Sequence, residues 1–334
     1  MKKDIKSFKY TELKKEVLKQ GLKSYRAWQI ARWVWNKGVD SFEKMTDIKK
    51  EVREKLSKKY RISKLTLTKR MDTPDAVKFR FKLEDGKEIE SVYMVDGERK
   101  TVCVSTQVGC ALGCRFCRTG YHGFVRNLKF YEIVSQVLEI SKIFKRPTNV
   151  VYMGMGEPFL NYEEVISSVE LLNAPYSLNI GARKITLSTV GIIEGIEKLI
   201  DFPLQVKLAV SLNAPDQQKR AFLMPIAKKY PLGKLMEAVK KYTEKRKKRV
   251  TFEYVLIKGI NDSIQDAKNL VKLLRDIPCK INLIPYNPFP EAPFQPPSIK
   301  RIERFQRVLL ENYFTAPIRK SRGREILAGC GQLA

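Results

Sequence analysis

Residues 101–117 read TVCVSTQVGCALGCRFC. The first six alternate in the manner of a β-strand, and the loop after them packs Cys110, Cys114 and Cys117 into eight positions. A CxxxCxxC loop directly after a strand lets one short segment wrap three corners of an iron–sulfur cluster, which normally takes four cysteine ligands. Three leave one iron open to a substrate or cofactor, by the same logic that gives a catalytic zinc its free position. A structural zinc site with a fourth ligand from elsewhere stays open here, although zinc loops more often pair CxxC knuckles and this sequence holds no second pair.

The chain beyond this loop sets the architecture. A helical pattern over 131–144 leads to NVVYM and a helix over 162–172, with Asn161 and Glu164 spaced as a capping box. KITLST precedes a helix at 193–200, QVKLAVSL one at 233–247, RVTFEYVLI one at 264–277 and KINLIPY one at 298–313. With TVCVST these make six strand-plus-helix units, and PIRK reads as a further edge segment. Repeated βα units demand parallel strands with right-handed crossovers. The expected fold class is therefore α/β, a partial (β/α)6 TIM-like barrel, with an open sheet as the other solution. In either, the site lies at the C-terminal strand ends. The unusual residues gather there, at 110–117, 154–158, 188–191, 211–215 and Asn287.

Upstream the pattern differs. Helices are expected at 11–20, 25–36 and 47–60, from apolar residues three and four apart such as Ala27, Ile30, Ala31 and Val34. Gly38 suits a C-cap, and Thr46 or Asp47 an N-cap. LTLTKR, VKFRFKL and EIESVYMV then alternate as strands. The expected division is a small basic helical accessory domain at 1–62, a short β-rich connector at 63–100, and the barrel with a cysteine-bearing tail at 101–334.

Composition narrows the functions. With 43% hydrophobic and 10% aromatic residues in 334, collagen-like and disordered classes are excluded. No apolar run approaches the roughly 18 residues of a membrane span, and MKKDIKSFKYTELKKEV lacks a secretory signal core. A cytoplasmic protein without membrane contact is expected. The net charge is +28, and residues 1–70 carry 22 Lys and Arg against 8 Asp and Glu. A second basic run joins Lys240, Lys241 and Lys245 to Arg249. Such an excess favours a nucleic-acid partner over a merely solvated lysine surface. The single histidine, His122, excludes histidine triads and HExxH zinc sites. Clustered cysteines in a cytosolic protein point to metal or redox chemistry rather than structural disulfides.

CxxxCxxC at the end of the first strand of a βα protein resembles the radical S-adenosylmethionine (SAM) superfamily. CVSTQVGCALGCRFC, GMGEPFLN, ITLSTVG, SLNAP, INLIPYNPFP and RKSRGREILAGCGQL together resemble, within it, the RlmN-type adenine-C2 methyltransferases of 23S rRNA and tRNA. The likeness runs from about residue 87 to the end of the sequence, and the helical start resembles that family's accessory domain.

The resemblance implies one 4Fe-4S cluster on Cys110, Cys114 and Cys117, with SAM bound at the open iron and two SAM used per turnover. It implies that Cys330 carries the methyl group, that Cys103 resolves a covalent protein–RNA adduct through a disulfide, and that Glu90 accepts the C2 proton. Gly156, Glu157, Ser188, Ser211, Leu212, Asn213 and Asn287 match its SAM contacts. Asn213 stands where that family usually has histidine, and an asparagine amide hydrogen-bonds but does not titrate near neutrality. The implied partners are 23S rRNA and tRNA and a low-potential electron donor such as flavodoxin, acting on a monomer. Read from the residues alone, Cys103 is as well a core cysteine, Glu90 a solvated carboxylate, and Trp28, Trp33 and Trp35 packing residues rather than base stackers. Cys279 is assigned to the core of the sixth barrel strand. Methylation at adenine C8, and a non-enzymatic RNA-binding protein with a structural metal, are the alternatives.

Overall fold

In the computed structural model, which describes residues 2–334, three helices come first: α1 (Tyr10–Lys19), α2 (Tyr25–Trp35) and α3 (Lys50–Lys59). Strands β1 (Thr66–Asp72), β2 (Ala76–Lys82), β3 (Glu88–Asp96) and β4 (Arg99–Cys103) form an antiparallel meander. The chain then alternates: α4 (Phe130–Ile143), β5 (Asn149–Tyr152), α5 (Tyr162–Asn173), β6 (Ile185–Thr189), α6 (Ile193–Ile200) and β7 (Lys207–Ser211). It continues with α7 (Leu232–Arg246), β8 (Val250–Leu256), α8 (Ile264–Leu274), β9 (Cys279–Pro285) and α9 (Ile299–Glu311).

These nine strands share one sheet in the order β9-β8-β7-β6-β5-β4-β3-β2-β1, and two short pairs, Lys3–Asp4 with Tyr60–Arg61 and Gln107–Gly109 with Phe124–Asn127, form separate two-stranded sheets. From β4 to β9 every pairing is parallel and the spatial order equals the chain order. Such a singly wound sheet has no point of strand reversal and so builds a partial barrel rather than a doubly wound sheet. Its strands are apolar on both faces, as parallel strands must be; Val150, Leu187, Leu208, Phe252 and Leu283 are fully buried. Cys279 opens β9 and is buried. Ile318 bridges Leu283 in parallel, so PIRK extends the edge as expected.

Two N-terminal capping expectations fail. The third helix starts at Lys50, not near Asp47, because the Asp47 carboxylate accepts the Trp33 indole N–H instead, at 2.5 Å. The Asn161–Glu164 box does not form. The Asn161 amide donates to the carbonyls of Thr106 and Leu128, while Glu164 accepts the Phe130 N–H at 2.7 Å. Both residues tie the cysteine loop's base and α4 to α5.

The N-terminal helices dock on the barrel's outer helices. Tyr10 stacks on Tyr176 at 4.6 Å, Trp28 meets the same ring edge-on, and Trp35 is buried. Lys6 is the unusual contact: fully buried, it donates to Ser135 on α4 at 3.2 Å and lies 5.3 Å from the Trp35 ring. Burial lowers its pKa from 10.5 to about 8. The unfolded chain therefore binds a proton that the folded chain releases between pH 8 and 10.5, so stability rises with pH in that window, by about 3 kcal/mol. We expect Lys6→Met to be more stable than wild type at pH 7, with the difference shrinking from pH 8 to 10.5. Paired chemical denaturation of the two proteins across this range measures it. Among the described residues no helix is long and apolar enough to cross a membrane.

Candidate active site

The ends of β4–β9 and the loops after them form a cleft. Cys110, Cys114 and Cys117 line one wall, Gly156 and Glu157 another, and Ser188, Ser211 and Asn213 a third, while Cys330 enters from the C-terminal tail.

The cysteine loop is held at both ends. The Cys110 N–H donates to Gly123 at 2.7 Å, and the Arg115 N–H to Leu223 of the short helix Gln217–Leu223 at 3.0 Å. Burial pushes the Cys110 thiol up to about 12 and raises Cys114 and Cys117 as well; for Cys114, the neighbouring Cys117, Cys110 and Glu157 charges add to the rise. Thiols crowded in this way become stable thiolates only with a cation among them. Among the described residues, no three His, Cys, Asp or Glu side chains are grouped to chelate one ion. Three thiols on one eight-residue loop can each cap a different iron of a cluster and leave the fourth iron open. The donor set fits a cluster.

The GEP loop beside it is built by close backbone approach. A side chain at Gly154 would lie 2.6 Å from the Val104 carbonyl, and Gly156 has φ +92° with Gln107 filling the space a Cβ would need. Glu157 is buried; its carboxylate accepts the N–H groups of Phe159 at 3.0 Å and Val190 at 2.9 Å. Burial nevertheless raises its pKa to about 7.

Asn213 adopts φ +58°, a left-handed conformation that asparagine tolerates better than most residues. Its side-chain oxygen accepts the Val255 N–H at 2.9 Å, and its carbonyl accepts from Asn261. Leu212 is fully buried, with its N–H on Glu253 and its carbonyl on Ala214, so neither backbone group is free to face a ligand.

The tail is strapped across the cleft. Asn287 donates to the Cys330 carbonyl at 3.1 Å, the Arg118 N–H to Gly331 at 2.7 Å, Thr119 to Leu333 at 2.7 Å, and Gln332 to Pro288 at 2.7 Å. Cys330 is exposed, but to the cleft that it lines. This recess is walled by protein, so burial still pushes its thiol up to about 12, with smaller contributions from Cys117, Glu253 and Cys103. Cys103 ends β4, 7% exposed and likewise pushed up to about 12 by burial. All six cysteines are free.

Glu90 is not a solvated carboxylate. At 1% exposure it pairs with Lys78 at 3.2 Å and Arg80 at 3.1 Å and accepts the Ala334 N–H at 3.1 Å. Its backbone is fixed too, since its carbonyl accepts the Ser105 hydroxyl and its N–H points to the Met155 sulfur. Of the residues chosen from sequence, Cys103, Glu90, Leu212 and Asn287 stand behind the cleft wall rather than in it.

Sequence reasoning missed two charged groups. Glu253 lines the cleft from β8 and accepts from Asn282 at 2.8 Å. Arg220 is wholly buried; its guanidinium donates to the carbonyls of Val190 and Tyr230, leaving Nε without a partner. The Val190 peptide thus links Arg220 to Glu157. A charge inside an apolar strand, RVTFEYVLI, or beside AFLMP, was the available signal. The basic 240–249 run is not part of the cleft. It closes α7 and leads into the start of β8, the opposite end of the barrel from the cleft, where Arg246 donates to the carbonyls of Ile200, Phe202 and Leu204.

A family model described as the radical SAM superfamily matches residues 104–274, and one described as the ribosomal RNA large subunit methyltransferase N-terminal domain matches residues 3–62. The chain is 49% identical to a probable dual-specificity RNA methyltransferase RlmN of Thermotoga neapolitana, over 99% of this chain and 97% of that protein. It is 45% identical to the dual-specificity RNA methyltransferase RlmN of Syntrophotalea carbinolica, over 99% and 89%. The crystal structure of a radical SAM methyltransferase from Sphaerobacter thermophilus superposes with a TM-score of 0.94, at 42% identity and 99% coverage of both chains.

Proposed function

Because the chain belongs to the RlmN family of radical SAM RNA methyltransferases, we propose that it methylates C2 of adenosine in 23S rRNA and tRNA, through a methyl-cysteine on Cys330 and a transient protein–RNA adduct. The observation that carries this reading is the placement of Cys330 in the same cleft as the three-cysteine loop, with Glu90 bonded to the same tail.

Adenine C2 is an sp2 carbon with little nucleophilic character, so it cannot displace a methyl group from a sulfonium by itself. A 4Fe-4S cluster on Cys110, Cys114 and Cys117 would supply the electron that splits SAM and opens a radical route. Glu157, with both carboxylate oxygens already fixed by backbone donors, presents a rigid acceptor edge to the SAM ammonium, and Ser188 and Ser211 offer hydroxyls to its ribose. Cys330 takes a methyl group by displacement. Once that methyl has given a hydrogen atom to the radical made from the second SAM, its carbon joins C2 and tethers the tail to RNA. One electron would return from this adduct to the cluster, and Glu90 takes the C2 proton as the tail's Ala334 N–H moves off its carboxylate. Cys103 then bonds to the tether sulfur, the sulfur–carbon bond breaks toward the base, the freed carbon takes a proton to become the C2 methyl, and a Cys103–Cys330 disulfide remains, to be reduced before the next turnover. Two SAM are consumed, one as methyl donor and one as radical source, by a monomer fed by a low-potential donor such as flavodoxin. We keep residues 1–62 as an RNA-binding accessory domain, 63–100 as connector and 101–334 as barrel and tail, although β1–β3 run on in the barrel sheet.

The test is nucleoside mass spectrometry on RNA treated anaerobically with reconstituted protein, SAM and reductant. We expect 2-methyladenosine. Appearance of 8-methyladenosine instead would move the chemistry to C8, and absence of any methylated adenosine from iron-loaded protein would refute the proposal.

A further inference from the structure

Six large aromatic side chains are exposed among the described residues: Tyr25, Trp28, Tyr121, Phe124, Phe222 and Tyr313. Three of them, Tyr121 at 47%, Phe124 at 47% and Phe222 at 43%, surround the outer face of the cysteine loop. Isolated apolar side chains on a surface need no explanation, but a group beside a site entrance does.

Their arrangement is specific. Tyr121 ends the short helix Arg118–Tyr121, whose first N–H donates to Gly331, the residue after Cys330. The rim is therefore one helical turn from that thiol's segment. The Tyr121 hydroxyl donates to the Arg115 carbonyl at 3.0 Å, and the Arg115 guanidinium lies 4.4 Å from the centre of the Phe222 ring. Arg118 and His122 turn instead toward Glu291. Tyr121, whose ring meets Phe289 edge-on at 5.6 Å, and Phe222 are thus both exposed and joined through Arg115, which adds a positive charge.

An adenosine that reacts inside an enclosed cleft must leave its base stack, which strands its neighbours without partners. Single-stranded RNA is held by aromatic and guanidinium planes together with positive charge. We infer that Tyr121, Phe222 and Arg115 form a stacking platform for the bases flanking the target adenosine. This rests on the reading that an RNA adenosine enters this cleft, but not on which of its carbons is methylated.

The test uses the full chain, cluster-reconstituted under anaerobic conditions with SAM and no reductant, so that no turnover occurs. Binding is followed by fluorescence anisotropy of a labelled RNA hairpin carrying the target adenosine in its loop. The double variant Tyr121→Ala/Phe222→Ala should bind about 10- to 100-fold more weakly. The slope of log Kd against log salt should stay unchanged, because neither ring contacts phosphate as a charge. Tyr121→Trp/Phe222→Tyr should restore affinity, which separates stacking from a folding defect, and iron content is read on each preparation. Affinity of the alanine variant within roughly twofold of wild type overturns the proposal, since lost stacking costs more than that. So does a loss confined to binding of a reduced flavoprotein, which would assign the rim to a redox partner. A wild-type protein that binds this RNA by the rim yet methylates no adenosine would refute the proposed function while sparing this inference.

Discussion

Cys330→Ala is expected to abolish RNA methylation, by more than about a thousandfold or roughly 4 kcal/mol in barrier terms, while iron loading is unchanged. The tail's position does not depend on the thiol. Its ties run through backbone groups: the Cys330 carbonyl to Asn287, the Gly331 carbonyl to Arg118 and the Leu333 carbonyl to Thr119. Alanine keeps each of them. The variant should therefore still close over the cleft and still present the three loop cysteines, but have no sulfur on which to carry a methyl group. With labelled SAM and no reductant, wild-type protein should become labelled and the variant should not. Product RNA formed at a normal rate by iron-loaded Cys330→Ala would remove the carrier role from this residue.

Much of the fold was legible because βα repetition is a local signal. Each strand run and helix period lies within one stretch of chain, and α6 falls at 193–200 as expected. What the sequence hid is where local polar groups are spent. Asn161 and Glu164 have the spacing of a cap, yet loop carbonyls and a neighbouring helix start compete for the same atoms and win. The meander β1–β3 could be read as strands, but its continuity with β4 in one sheet could not, because register between distant strands leaves no local trace.

The candidate site divides in a similar way. Cys110, Cys114, Cys117, Gly156, Glu157, Ser188, Ser211, Asn213 and Cys330 line one cleft, and each lies in a loop or strand end that could be picked out by its residue types. Glu90 could not be told from a solvated carboxylate by alternation, since only the tertiary fold brings Lys78, Arg80 and the tail against it. Arg220 was hidden for the opposite reason. Arginine on a short helix is ordinarily a surface residue, and its burial follows from the cysteine loop and the Val190 turn closing over it.

The second large effect is expected at Cys103. Cys103→Ala should accumulate a covalent protein–RNA adduct approaching one RNA per protein, visible as a shifted band under denaturing conditions, where wild type shows at most a trace. Cys103 is fixed by its place at the end of β4, paired with Val92 on one side and Val151 on the other, and it is 7% exposed. In the proposed route a thiol so placed does not swing out to meet a tether; the tether sulfur on Cys330, carried by the tail, arrives beside it. Removing one buried sulfur leaves a small void, worth about 1 kcal/mol, so the variant should fold, load iron and take the methyl group. In the proposed route every step up to carbon–carbon bond formation uses other residues. Only the attack that breaks the sulfur–carbon bond is missing, and the chemistry has no other exit, because the remaining free cysteine outside the loop, Cys279, is buried at the far end of β9. Normal turnover by Cys103→Ala with no adduct would mean that a different group releases the RNA.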